Sequence, residues 1–306
     1  MVVTLAGGIG AAKLILGLSK LLPPDQLAVV GNTGDDIELF GLRICPDLDT
    51  ITYTLCGRVN PETGWGIQED SFECLKTLRK LGGSSWFNLG DSDLATHLWR
   101  TELLAQGHSL TQATQKICEA FEVQQRLYPM TDSYVPTYLT TDQGKFHLQE
   151  YLVREKCRPV IRELNYMNME QARHTSDVEE VLLRAEGIFL CLSNPLISIG
   201  PILAVPGIRE LLARSEAPVF AVSPIIGERA LRGPAAKMLT DLGYPVSATA
   251  VAEIYKDILD VFVLDERDRG LRPEIEALNL AVLTVDTVMT TLEDKIRLAS
   301  CLLERL

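Results

Sequence analysis

Nowhere in this 306-residue chain do two cysteines stand in a C-x-x-C spacing, and the seven present (Cys45, Cys56, Cys74, Cys118, Cys157, Cys191 and Cys301) are scattered and odd in number. That pattern excludes a zinc ribbon and a disulfide framework, so they read as reduced thiols. Basic residues are also short, 29 Lys and Arg against 41 Asp and Glu, for a formal net charge of -12. A nucleic-acid surface would need a basic field to neutralise phosphates, so no nucleic-acid partner is expected. Histidine is scarce, and the four residues (His97, His108, His147 and His174) include no pair spaced for zinc. There is no G-x-S-x-G elbow, which leaves a serine hydrolase without support. One long uncharged stretch runs from Gly187 to Ile208, but Pro195, Pro201, Pro206 and glycines interrupt it. It reads as a buried strand followed by a buried binding loop rather than a membrane span. The N-terminus begins directly with a strand and carries no basic n-region, so a soluble cytoplasmic protein is expected.

What the chain does have is 46% hydrophobic content, enough for one large α/β core with a smaller lobe. Three apolar strands each run into a small-residue loop: Val2 to Ala6 into Gly7-Gly8-Ile9-Gly10, Ile188 to Leu192 into Ser193-Asn194-Pro195, and Val219 to Val222 into Ser223 to Gly227. In an open α/β sheet such loops converge at the carboxyl ends of parallel strands, and the expected ligand is a nucleotide or diphosphate. In so acidic a chain the anion must be held locally, by helix N-termini, by cations such as Lys13 and Arg232, or by a divalent metal.

The rhythm begins strand, helix from about Ala11 to Leu21, and strand Leu27 to Val30. Helical periodicity then dominates from about Leu48 to Glu122, with Asp91-Ser92-Asp93 opening a helix that ends before Gly107. Strands follow between Pro136 and Leu152, then a polar stretch to Asp177, after which the α/β alternation resumes to the C-terminus. The expected fold is α/β, a Rossmann-like and mostly parallel sheet flanked by helices. It is built from about 1–47 and 178–306, with an inserted, largely helical lobe of about 48–177 over the carboxyl ends of the strands.

Gly7-Gly8-Ile9-Gly10-Ala11-Ala12-Lys13 lets backbone approach a pyrophosphate without a Cβ in the way, although the same string would serve as a tight turn with no ligand. Asn32-Thr33-Gly34-Asp35-Asp36 and Pro46-Asp47-Leu48-Asp49-Thr50 place four carboxylates in two loops, a set suited to Mg²⁺ with diphosphate oxygens and water. Taken singly, each aspartate could equally cap a helix, Asp49 one that begins near Ile51. Trp86-Phe87-Asn88 could stack a planar heterocycle or staple the following helix, which carries His97. Ser193, Asn194 and Ser198 lie in a segment too apolar for a surface loop, and either a nucleotide or the turn itself satisfies them. Ser223 to Gly227, with Arg229 and Arg232 beyond, could hold a second phosphate or a base edge.

Together these strings, with Leu89 to His97, Ser193 to Leu203, Ser223 to Gly227, and Asp286-Thr287 with Met289-Thr290, resemble the 2-phospho-L-lactate transferase family in order and nearly end to end. The resemblance implies a Mg²⁺-dependent, often homodimeric enzyme of coenzyme F-420 biosynthesis. A guanosine diphosphate ester of lactate, enolpyruvate or glycerate would give its phosphoester part to the terminal ribityl hydroxyl of 7,8-didemethyl-8-hydroxy-5-deazariboflavin, releasing GMP. Carried over by motif, Gly7, Gly8, Gly10, Lys13, Asn32, Ser193, Asn194, Ser198, Ser223 and Gly227 would hold the guanosine diphosphate. Asp49 and Asn88 would meet the deazaflavin, and Asp35, Asp36 and Asp49 would hold the metal. Asp49 or Asp91 would orient or deprotonate the ribityl hydroxyl. Two departures stand out: Ile9 replaces a threonine common in the glycine loop, and Asn88 stands where some members carry a basic residue. The alternative is a non-catalytic, nucleotide-sugar-binding regulator of the gluconeogenesis-factor branch; a nicotinamide oxidoreductase is a fold-level analogy only.

Overall fold

Strands apolar on both faces belong inside a parallel sheet covered by helices on each side, and seven such strands form the centre of the computed structural model. These are β1 (Val2–Ala6), β2 (Leu27–Gly31), β3 (Arg126–Pro129), β4 (Gly187–Leu190), β5 (Val219–Val222), β6 (Val261–Asp265) and β7 (Ala281–Val285). Every pairing is parallel and the order is β7-β6-β5-β4-β1-β2-β3. The order reverses between β1 and β4, which makes that junction the topological switch point of a doubly wound sheet. Register aligns the strand ends there, with Ala6 opposite Gly31 and Leu5 opposite Leu190. The loops after β1, β2 and β4 therefore emerge side by side. The structure describes residues 1–227, the backbone of 229 and 230, and residues 234–306; Arg232 and the Arg229 side chain, expected as phosphate-binding cations, lie outside the described residues.

Alternation along each strand divides the core into two layers. Val3, Leu5, Ile188 and Leu190 face one apolar cluster, while Val2, Ala6, Phe189 and Phe220 face the other. Helix α1 (Gly8–Ser19) starts directly after β1 and packs in the second layer beside the C-terminal helix Leu292–Leu303. The long uncharged segment is buried as expected: β4 lies inside the sheet, and the apolar helices after it, Pro195–Ala204 and Ile208–Arg214, are bent at 80° to each other. Among the described residues no single helix is long and apolar enough to cross a membrane.

The segment read as an inserted lobe is only partly separate from the sheet. Its strand β3 pairs with β2 at the edge of the main sheet, and helix α2 (Pro46–Leu55) packs on α1. Helices α3 (Glu73–Lys80), α4 (Asp91–Ala105) and α5 (Leu110–Ala120) follow. A three-stranded antiparallel sheet (Thr137–Thr141, Gly144–His147, Ile161–Tyr166) completes this part, its last strand lying in the stretch read as polar. Residues 58–68 form a hairpin closed by a Val59–Ile67 bridge, and it reaches over the glycine loop until Gly64 lies against the Ile9 side chain.

Candidate active site

Gly7 is extended at the N-cap of α1, and Gly8 turns with φ 73°, a left-handed conformation that glycine adopts without penalty. A Cβ at Gly7 would meet the Asp47 carboxylate at 2.6 Å, Ser198 Cβ at 2.9 Å and Asn32 Cβ at 3.0 Å, so only glycine lets three loops close here. Gly10, one turn into α1, packs against the Leu192 carbonyl. Ser193 donates to the Gly7 carbonyl at 2.6 Å and ties the β4 loop to the β1 loop. Lys13 donates to the Met289 carbonyl at 2.7 Å. Of the three loops expected to converge, those after β1 and β4 meet, joined by the loop after β2, whereas Ser223 after β5 closes its own turn.

The anion position at the α1 N-terminus is held by a protein carboxylate. The Gly8 N–H donates to Asp47 Oδ1 at 2.6 Å, and the Asn32 amide donates to Asp47 Oδ2 at 2.8 Å and to the Ile197 carbonyl at 3.1 Å. Burial pushes the Asp47 carboxyl up to about 6 against these hydrogen bonds. Asp35 is buried beside it; burial, reinforced by repulsion from Asp47 and Asp36, raises its carboxyl well above the usual range. Gln149 donates to Asp35 Oδ2 at 3.2 Å, while Asp35 Oδ1 and the Thr33 hydroxyl are buried without a partner. Orphaned polar atoms beside a phosphate-type loop mark a place that a ligand completes. Asp36 instead turns to Arg43 Nε (3.2 Å) and the Cys45 thiol (3.0 Å), and burial raises its carboxyl to about 6 in spite of Arg43.

Asp49 differs from expectation. It lies inside the first turn of α2, fully buried, because the helix begins at Pro46, where proline is favoured, and not near Ile51. Both its oxygens face the Arg100 guanidinium, Nη1 at 3.1 Å from Oδ2 and Nη2 on Oδ1, and His97 Nδ1 is 3.6 Å away. Arg100 is 1% exposed; although burial opposes its charge, Asp49 raises its pKa above the ordinary value. Asp49, Asp93 and His97 offer atoms within 4.8 Å of one another, a spacing a metal could use, but the guanidinium already meets the Asp49 charge. Asp35, Asp47 and Asp36, whose Oδ1 is also buried without a partner, are the carboxylates that could meet a dication, while both oxygens of Asp49 face Arg100.

Asp91 also takes a different role. It accepts from the Ser71 hydroxyl (2.6 Å) and from the N–H groups of Glu73 (2.9 Å) and Cys74 (3.0 Å), and these bonds lower its pKa. Asp70 in turn accepts from Ser92 and Asp93 N–H at 2.8 and 3.0 Å. The two aspartates cap each other's helices, α3 by Asp91 and α4 by Asp70, which assigns Asp91 to helix geometry rather than to proton transfer.

Asn88 is exposed and lines a narrow cavity of about 40 Å³ with Asn60, Trp65, Phe72 and Asp93, beneath the 58–68 hairpin. Neighbouring Trp86 and Phe87 pack edge to face and join Ile37 and Ile44, so they serve as a staple. Asn194 accepts from the Leu196 N–H at 2.9 Å, and Ser198 sits over Gly7. Ser223 closes its own turn, donating to the Ile225 carbonyl at 2.8 Å and accepting from the Ile225 N–H at 3.2 Å. The Gly227 N–H is held by both oxygens of Asp268 at 2.9 Å, beside a separate cavity of about 650 Å³ with Ser247 and Arg267. Sequence reasoning passed over Asp93, Arg100, Tyr53 and Gln149. The first two share a face of α4 with His97 at spacings of four and three, a pattern visible in the sequence.

A doubly wound sheet with a glycine loop and buried carboxylates at its switch point, and a small cavity beneath the 58–68 hairpin, is an architecture suited to binding a nucleotide. The family model described as "2-phospho-L-lactate transferase CofD" matches residues 2–298, and the chain belongs to that family, whose members act in coenzyme F-420 biosynthesis. A phosphoenolpyruvate transferase of Streptomyces griseus is 41% identical over 99% of this chain and 97% of its own length. A 2-phospho-L-lactate transferase of Methanosarcina mazei is 38% identical over 98% of each. A solved member of the UPF0052 family from Bacillus halodurans shares the fold, with a TM-score of 0.68 at 13% identity over 99% of this chain and 98% of its own.

Proposed function

We propose that the protein transfers the phosphorylated three-carbon acid of a guanosine diphosphate ester to the terminal ribityl hydroxyl of 7,8-didemethyl-8-hydroxy-5-deazariboflavin, with GMP as leaving group. The observation that carries this reading is the junction at Gly7–Gly8. A phosphate-type loop lies there with buried Asp47 and Asp35, the latter with an unpartnered oxygen, and the hairpin that touches Ile9 also lines the cavity bordered by Asn88 and Asp93. The α1 N-terminus would hold the diphosphate by backbone N–H groups, and the Ser193 and Asn32 contacts fix the loops that present them. Asp35 and Asp47 would hold Mg²⁺, whose charge would offset that of the diphosphate and of the departing GMP. Exclusion of water falls to the 58–68 hairpin, and Asn88 and Trp65 border the acceptor side.

The relatives' printed names include both phosphoenolpyruvate and 2-phospho-L-lactate transferases at nearly equal identity, so the donor acid is read by experiment. The test is a mass-spectrometric turnover assay with the deazaflavin, Mg²⁺ and each of the three esters, beside an EDTA control. Phosphodiester product with GMP, lost on chelation, supports the reading and names the donor. No product from folded protein refutes it and favours a non-catalytic nucleotide-binding regulator. We further propose a cytoplasmic homodimer, to be checked by fractionation and light scattering.

A further inference from the structure

We infer that Asp93, at the N-terminal end of α4, is the catalytic carboxylate that orients the acceptor hydroxyl and receives its proton; this rests on the transferase reading above. Three carboxylates compete for that role around the acceptor cavity, and their partners separate them. All the bonds that Asp91 accepts cap α3, and both oxygens of Asp49 face Arg100. Asp93 alone of the three lines the cavity, together with Asn88, Asn60 and Trp65; Asp70 lines it too, but both its oxygens accept from the N–H groups of Ser92 and Asp93 at the start of α4. Its Oδ1 accepts from the Tyr53 hydroxyl at 2.8 Å and lies 3.4 Å from His97 Nε2. No described residue donates to its Oδ2, and that oxygen is not among the buried orphans, so it is the polar atom this side chain offers to the cavity.

The surroundings keep this carboxylate in place and ionised. Burial alone would protonate it, but His97, Tyr53 and Arg100 hold it below the usual carboxylate range. His97 is a positioning residue: one ring nitrogen faces Asp93 and the other faces Asp49, itself fixed by Arg100. Helix α2 links this network to the phosphate loop, since Asp47 at Gly8 and Asp49 at Arg100 are two residues apart, about 3 Å along a helix axis. A cavity of about 40 Å³ takes a hydroxymethyl end or a few waters and not a fused ring, which fits the end of a polyol chain.

The acceptor oxygen forms a bond to the phosphorus that carries the three-carbon acid, and the bond from that phosphorus to the GMP phosphate oxygen breaks. GMP leaves with the electron pair, and the hydroxyl proton passes to Asp93 Oδ2 and then to water as product departs. In such a loose transfer the carboxylate acts mainly by alignment and takes the proton late.

Asp93→Asn keeps the shape and an oxygen for Tyr53. With guanosine diphosphate ester, Mg²⁺ and deazaflavin, its kcat should fall about 100-fold or more, while calorimetric acceptor affinity and Tm stay close to wild type. Asp93→Glu should recover part of the loss. A folded Asp93→Asn with near-wild-type kcat overturns the inference, as does a loss confined to KM. Should Asp93→Asn fail to fold, His97→Gln decides: kcat lowered about tenfold at unchanged acceptor affinity supports the arrangement, and unchanged kcat overturns it. Wild-type protein that turns over none of the esters refutes the functional reading and this inference with it; active wild type with an unaffected variant refutes this inference alone.

Discussion

Replacing Arg100 by methionine isolates what the buried ion pair contributes. Methionine fills nearly the same space, so the main loss is the cation that faces Asp49 from a position 1% exposed to solvent. Removing one partner of a buried pair leaves the other charge uncompensated, which destabilises by about 3–5 kcal/mol. Arg100 also approaches the Arg43 carbonyl at 3.5 Å and His97 Nδ1 at 3.3 Å, so part of the loss spreads into the 37–44 ribbon and α4. For a chain of 306 residues that corresponds to a drop of roughly 5–8 °C in Tm. Urea unfolding of wild type, Arg100→Met, Asp49→Asn and the double variant gives the coupling directly. The double variant should be at least about 1 kcal/mol more stable than Arg100→Met, because no buried charge is then left unpaired. A loss below about 1 kcal/mol, or a double variant no better than the single, would refute the view that the guanidinium neutralises Asp49.

Asp35→Asn and Asp47→Asn should each abolish Mg²⁺-dependent turnover while the protein remains folded, and near-normal Mg²⁺-dependent rates in both would remove them as metal holders. Asp36 and Asp47 have folded-state values near 6, above those of an unfolded chain. Their contribution is therefore present below about pH 4 and lost as pH rises through about 6, on the order of 3 kcal/mol each. Asp47→Asn should flatten that slope in melting curves taken without divalent metal, and an unchanged slope would contradict the assignment. Gly7→Ala should cost about 1–3 kcal/mol through overpacking against Asp47, Ser198 and Asn32, and should weaken GDP binding measured by calorimetry; wild-type values in both would place the glycine outside the site.

The sheet, its parallel character and the convergence of the first two loops with the β4 loop were legible because each rests on local signals: apolar runs, a glycine turn, and a strand immediately before a helix. The lobe was harder to read. Strand β3 carries Arg126 and Tyr128 among its four residues and joins the sheet only through pairing with β2, a contact across about a hundred residues that periodicity does not record. Asp49 and Asp91 stand in motifs shared with the transferase family, yet tertiary partners decide their contacts: Arg100 arrives from 51 residues away and Glu73 from 18. Ser223 and Gly227 follow a strand as expected, but one closes its own turn and the other is held by Asp268. Types and spacing located the chemistry; which carboxylate is free depends on neighbours brought by the fold.

The carboxylate at the head of α1 has a wider meaning. A helix start that already holds Asp47 is not a basin of positive potential waiting for an anion; with Asp35 beside it, a bare diphosphate meets repulsion. On the proposed reading, entry of the nucleotide would be conditional on a cation arriving with it or before it, and the pair would behave as a logical AND. Linkage would then require that nucleotide tighten cation binding by the same factor that cation tightens nucleotide binding. An acidic protein would gain selectivity this way, because phosphate-bearing metabolites without a bound dication would be turned away at the loop.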